Sequence, residues 1–227
     1  MSQENGNCEQ KSYKQFIVVD GLIGAGKTTL INLLVNKYTK QGLKVCACLE
    51  PVELWRETGA LEQFYKDVNA HVYEFQTFVY VTRIKSVLET LEANPDVDIF
   101  IMERSIFTDR YIFVEMLKDK LGPVRMTMYN MWWDMWAKLL PFKPSSWVFL
   151  DTSLQEADRR ICIRDRSEES SVDIEYQRQL QQTHNAFYDK LKADGEHVII
   201  INSALMDSNF INDDAVLNNI AGQIIKN

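Results

Sequence analysis

The chain has 227 residues, 46% hydrophobic and 25% charged, a balance that excludes a disordered polymer and fits one globular domain. Its net charge of −7 has the wrong sign for coating nucleic acid, so any anionic ligand needs a local positive site. The longest apolar run, Val45–Leu49, is far shorter than the roughly 20 residues that span a bilayer. One domain over residues 1–227 is expected, with residues 1–14 a disordered tail. That tail carries Glu4 and Glu9 and no apolar core, so it reads as neither a signal peptide nor a transit sequence. Four cysteines (Cys8, Cys46, Cys48, Cys162) without CxxC spacing read as reduced thiols in a cytoplasmic compartment.

In chain order, the apolar run Phe16–Asp20 predicts a first strand, and Lys27–Lys40 a helix after a glycine-rich turn. Lys44–Leu49 predicts a second strand, with Cys46 and Cys48 as small core residues. A long helix near Asn69–Ala93 leads to a third strand, Val97–Met102. Helices at Ile106–Lys118 and Val124–Leu140 precede a fourth strand, Trp147–Asp151. Helices at Ser153–Arg164 and Asp173–Ala193 flank a polar stretch, Arg166–Asp173. The fifth strand is His197–Ile201, and a helix near Asp213–Ile225 closes the chain. None of the strands alternates cleanly, which is the mark of strands buried on both faces. The expected fold is therefore α/β, a five-stranded parallel sheet flanked by helices.

Glycine is scarce, nine in all, yet Gly21, Gly24 and Gly26 fall within six residues. The segment Gly21-Leu-Ile-Gly-Ala-Gly-Lys-Thr28 fits GxxxxGK[ST], directly after a strand and opening a helix, the context this phosphate-binding motif requires. Small residues Gly21, Gly24, Ala25 and Gly26 let backbone N–H groups curl around phosphate oxygens, continued by Lys27, Thr28 and Thr29 at the helix N-terminus. Lys27 is placed to reach the β- and γ-phosphates, and the Thr28 hydroxyl to enter a Mg²⁺ shell. The chain is thus expected to form a P-loop fold that binds a nucleoside triphosphate.

Strand two ends in Glu50-Pro51, which sets a carboxylate at the C-terminal sheet edge where ligands of open α/β sheets sit. A carboxylate there can serve as base for an alcohol acceptor. Strand three ends in Glu103-Arg104; Glu103 could hold Mg²⁺, and Arg104 could grip the acceptor or the moving phosphoryl group. Read alone, the pair is equally an ordinary strand-end ion pair. Arg160, Arg164 and Arg166 form a cluster beside the polar stretch, suited to a lid over phosphates, although Asp158 and Asp165 also permit a salt-bridged solvated face.

Together these pieces resemble the deoxynucleoside kinase family. The match rests on Gly21–Thr29, Glu50-Pro-Val-Glu-Leu-Trp55, Phe75-Gln-Thr-Phe78 with Arg83, Glu103-Arg-Ser with Asp109-Arg-Tyr-Ile-Phe113, the arginines Arg160 to Arg166 with Glu169, and Tyr176. The resemblance implies ATP as donor, Mg²⁺ held by Thr28 and Glu103, and Glu50 as the base on a sugar 5′-OH beside Arg104. It implies that Tyr65 and Glu169 meet the 3′-OH, that Trp55, Phe75 and Phe113 line the base slot, and that Gln76 pairs with the base edge. Arg160, Arg164 and Arg166 become lid arginines. Arg83 with Asp109 accompanies a preference for deoxycytidine and purine deoxynucleosides over thymidine, because the pair crowds the space of a thymine methyl. Leu22 stands where the family often has asparagine, and Ala70 or His71 where it often has tryptophan.

The nearest alternative is a nucleoside monophosphate kinase of the thymidylate type. Those enzymes commonly set an arginine before the strand-two Glu-Pro, and here that position is Leu49. A nucleotide switch protein would need an Asn-Lys-x-Asp segment, which the chain lacks. The long Asn69–Ala93 helix and the Trp-rich Val124–Leu140 helix carry more apolar surface than one sheet face uses, so an isologous homodimer is expected.

Overall fold

A computed structural model describes residues 14–164, 172–206 and 214–225. Five parallel strands form one sheet: β1 Gln15–Gly21, β2 Val45–Cys48, β3 Ile99–Glu103, β4 Ser146–Asp151 and β5 Val198–Asn202, in the order β2-β3-β1-β4-β5. The central strand is the driest, with Ile17, Val18 and Val19 fully buried. That burial is why its sequence runs apolar without alternation.

Nine helices are described: α1 Lys27–Lys40, α2 Val52–Glu57, α3 Ala60–Lys66, α4 Val68–Ala93, α5 Ile106–Thr108, α6 Lys118–Leu139, α7 Leu154–Arg164, α8 Ile174–Ala193 and α9 Asp214–Ile224. Helix α1 packs on β2 and β3, and α9 packs on α1 and β5, where the Tyr38 hydroxyl donates to the Ala221 carbonyl at 2.9 Å. Residues 1–13, most of the expected tail, lie outside the described residues. Lys14 is described, and its Nζ donates to the carbonyls of Pro95 and Val97 at 2.7 and 3.0 Å.

One expected element is corrected, and one stretch with no expected element is helical. The segment after Glu50 holds two short helices, α2 and α3, too brief for a periodic apolar signal. The expected helix Ile106–Lys118 is instead a three-residue α5 running into a π-helical turn, Asp109–Val114, and α6 then begins at Lys118. Its early bend has an identifiable cause: Gly122 takes φ 71°, and Pro123 cannot donate a helical hydrogen bond.

Two apolar cores result. One lies between the sheet and the helices around it; the second gathers α2, α3, α4 and α6. Phe107, Tyr111 and Met116 pack against both. The chain crosses from β1 to β2, returns through β3, then passes to β4 on the other side of β1, so the strand order reverses at β1. A crevice at the carboxyl ends of β1 and β3 is the expected ligand position in such a sheet.

Candidate active site

The loop after β1 turns sharply enough to need glycine. Gly24 has φ 83°, and a Cβ there would meet the Ala157 carbonyl oxygen at 2.5 Å. Gly26 caps α1 in the left-handed region, φ 94°. These conformations leave the start of α1 open for an anion to meet its N–H groups. Lys27 is buried and donates to the loop's own carbonyls, Leu22 at 2.9 Å and Gly21 at 3.4 Å. Burial, reinforced by Arg104, pushes its ammonium down to about 8. Thr28 donates to both Glu103 oxygens at 2.9 and 3.0 Å. Burial and the charge of Glu50 raise the Glu103 carboxyl.

Glu50 sits between two guanidinium groups. Arg83 Nη2 donates to Oε1 at 2.7 Å and Arg104 Nη1 to Oε2 at 2.9 Å. Burial would raise this carboxyl, but Arg104, Arg83 and Lys27 together hold it down to about 2. Arg83 also grips Asp109 through Nε at 2.8 Å and Nη2 at 3.0 Å, and the Glu103 carbonyl through Nη1 at 2.9 Å. Burial pushes the Asp109 carboxyl up against the pull of Arg83.

Arg104 is the non-glycine residue with positive φ, 59°, among the described residues. Extended strands send consecutive side chains to opposite faces. The left-handed step at Arg104 breaks that alternation just where β3 ends, at a cost on the order of 1–3 kcal/mol. Arg104 and its predecessor Glu103 consequently line the same cavity. Its Nη2 donates to the Gly21 carbonyl at 3.1 Å, and its guanidinium lies 4.9 Å from the Phe113 ring centre.

Two adjoining cavities open here. The larger, about 210 Å³, is lined by Gly24, Lys27, Thr28, Glu103 and Arg164; the smaller, about 70 Å³, by Phe75, Gln76, Arg83, Asp109, Phe113 and Tyr176. Ile23, Glu50, Trp55, Leu61, Tyr65 and Arg104 line both. Phe64 and Phe75 stack with centres 4.4 Å apart, and Trp55 stands edge-on to Phe75 at 6.1 Å. Trp55 is fixed by its Nε1 donating to Thr82 at 2.9 Å.

Helix α4 explains two of the polar side chains. Its buried stripe, Val72, Phe75, Gln76, Val79, Tyr80, Arg83, Ile84 and Val87, follows helical spacing, and Gln76 and Arg83 interrupt it. Gln76 is 2% exposed, and its amide makes no hydrogen bond with the described residues. A buried amide facing a cavity in that condition is a ready partner for a polar ligand edge.

Arg160 lies behind the loop, donating to the Ala25 carbonyl at 3.1 Å, the Ser203 carbonyl at 3.3 Å and Glu156 at 2.6 Å. Thr29 is exposed near the start of α1. Arg166 and Glu169 lie outside the described residues. The sequence reading missed Ile23 and Leu61 as lining residues. It also missed Asp20, Thr108 and His184, which support the site from beneath. A polar residue on an otherwise apolar helix face was the available signal for His184.

The family model for deoxynucleoside kinase matches residues 17–227. A fowlpox virus protein named as a probable deoxycytidine kinase is 33% identical over 226 residues, covering 94% of this chain and 90% of the relative. Deoxycytidine kinase 2 of Gallus gallus is 28% identical, covering 87% of this chain and 84% of the relative. Mitochondrial thymidine kinase 2 of Homo sapiens is 29% identical over 182 residues, which span 78% of this chain and 65% of that protein.

Proposed function

The chain belongs to the deoxynucleoside kinase family, an ATP-dependent phosphotransferase, and from that premise we propose that it phosphorylates the 5′-OH of deoxycytidine and purine deoxynucleosides in preference to thymidine. The observation that carries the reading is the position of Glu50, which lines the phosphate-loop cavity and the aromatic cavity alike. An acceptor with its base among Phe75, Phe64 and Trp55 brings its sugar hydroxyl to this carboxylate. Glu50 takes the 5′-OH proton as the hydroxyl oxygen bonds to the γ-phosphorus, and the bond from γ-phosphorus to the bridging oxygen breaks. The products are the nucleoside monophosphate and ADP.

A carboxylate held so acidic is a weak base. Phosphoryl transfer through a loose transition state asks little of it, since the proton leaves late and orientation matters more. Arg104, beside Glu50, meets charge developing on the transferring group. Gln76 offers its amide to the base edge, and the Arg83–Asp109 pair fills the space of a thymine methyl. Tyr65, which lines both cavities, reaches the sugar. Lys27 and the loop amides hold the donor phosphates, with Arg164 lining the same cavity and Arg160 bracing the loop from behind through the Ala25 carbonyl.

A hydroxyl and a carboxylate are the hard oxygen donors Mg²⁺ prefers, and it commonly takes only one or two from protein beside substrate phosphates. Thr28 and Glu103, already in contact, fit that description. The metal would neutralise charge on the phosphate oxygens. Described cysteines Cys46, Cys48 and Cys162 are unpaired, in keeping with a reducing cytoplasmic compartment. No described helix is long and apolar enough to cross a membrane.

The test is a panel of deoxycytidine, deoxyadenosine, deoxyguanosine, thymidine and deoxycytidine monophosphate with ATP and Mg²⁺. Deoxycytidine or a purine deoxynucleoside should give the highest kcat/KM, and the monophosphate should yield no ADP. Glu50→Gln should bind ATP normally yet lose about 10²–10⁴ in kcat, since it removes both the proton acceptor and the carboxylate that orients the hydroxyl. Best turnover of thymidine would overturn the preference, and full activity of Glu50→Gln the mechanism.

A further inference from the structure

Beneath the phosphate loop lies a fully buried polar pair, Asp20 on β1 and His184 on α8, with Nε2 3.0 Å from Oδ1. We propose that His184 is a positioning residue for phosphoryl transfer, acting through Asp20 on the phosphate loop and on Arg104; the inference rests on the kinase reading above. Every other contact of the Asp20 carboxylate goes to a neighbour of the reacting groups. The Gly21 N–H donates to Oδ1 at 2.8 Å, and Gly21 opens the phosphate loop. The Thr108 hydroxyl donates to Oδ2 at 2.6 Å, and Thr108 directly precedes Asp109. Arg104 Nε stands 3.5 Å from Oδ1 and has no hydrogen-bond partner of its own.

The imidazole is itself held in orientation. Its Nδ1 lies 2.8 Å from the Leu180 carbonyl, and its ring stacks on Phe149 with centres 5.6 Å apart. Around it α8 buries Leu180, Phe187, Tyr188 and Leu191. Apolar side chains replacing both partners would suit that core as well or better, because a buried polar pair is weak evidence for stability, whereas loss of His184 alone leaves the Asp20 carboxylate less compensated. What the imidazole adds is a fixed donor that stops the Asp20 carboxylate from turning. Another residue of the same helix supports the loop directly: Gln177 Nε2 donates to the Ile23 carbonyl at 2.7 Å. Helix α8 thus braces the loop from behind at two points.

Two substitutions separate positioning from packing. His184→Phe keeps a ring against Phe149 and removes both nitrogens, whereas His184→Gln retains an amide N–H near the place of Nε2. His184→Phe should lose about tenfold or more in kcat with nucleoside KM within about twofold, and His184→Gln should recover most of the loss. In an Asp20→Asn background, His184→Phe should add little further loss, since both act through one contact. The chain has three histidines, so ¹⁵N-labelled imidazole spectra resolve His184 without substrate. A slowly exchanging Nε2–H signal is expected, shifted by Asp20→Asn. Unchanged kcat in His184→Phe, a folded His184→Gln as impaired as the Phe variant, or no protected Nε2–H would overturn the inference. Should His184→Phe fail to fold, the Gln variant and the imidazole spectrum decide it. Absence of turnover in the unsubstituted protein would instead defeat the kinase reading.

Discussion

Lys27 shows how one buried charge ties ligand affinity to pH. Burial depresses it from 10.5 to about 8, so between those values the folded chain binds fewer protons than the unfolded one, and stability rises with pH across that window. Nucleotide binding runs the other way, because phosphate oxygens favour the ammonium. The dissociation constant for ATP should be flat below about pH 8 and climb above it by up to about tenfold per unit. In Lys27→Met it should be weaker throughout, with that climb removed. Calorimetric titration over the range checks both, and an unsubstituted protein with no climb above pH 8 would contradict it. The place of Lys27 in the glycine-rich loop was readable in the sequence because the whole loop is contiguous, with spacing that has a known physical use. Asp20 and His184 were not, because the two are 164 positions apart and only folding makes them neighbours.

At the scale of elements, the Arg83–Asp109 contact fastens α4 to the π-helical turn. Asp109→Ala leaves a buried guanidinium with less compensation, a change typically costing about 3–5 kcal/mol. Arg83→Met together with Asp109→Ala removes both charges and should unfold at higher urea than Asp109→Ala alone. The double variant should also gain kcat/KM for thymidine, since the slot near Gln76 is vacated. Equal urea midpoints for Asp109→Ala and the parent would refute the coupling. The five strands and the long helices were legible, each having a run or period long enough to read. Helices α2 and α3 were not, at six and seven residues. Nor was the π-helical turn, since the apolar spacing around Asp109 reads the same through an ordinary helix and the widened turn depends on tertiary packing.

Across the whole molecule, one surface stands out as unfinished. Val124, Met131, Trp132 and Leu139 on α6 are 71%, 69%, 51% and 64% exposed, and Val81 on α4 is 50% exposed. Met128 and Met135 continue the α6 stripe. Contiguous exposed apolar surface of this kind marks an interface. A second copy meeting it face to face would form the expected homodimer, burying about 800 Å² on each side in a standard contact. If that dimer forms, sedimentation velocity should find it for the parent chain, and Met131→Glu combined with Trp132→Glu should give single subunits with the fold intact. A dimer persisting in the double variant would place the interface elsewhere.

The backbone at Arg104 carries a consequence of its own. A glycine there would relax the main chain and abolish the guanidinium, whereas any longer side chain that keeps the charge inherits the awkward torsion. Under the proposed mechanism, comfort of the polypeptide and competence of the catalyst are therefore set against each other at a single position.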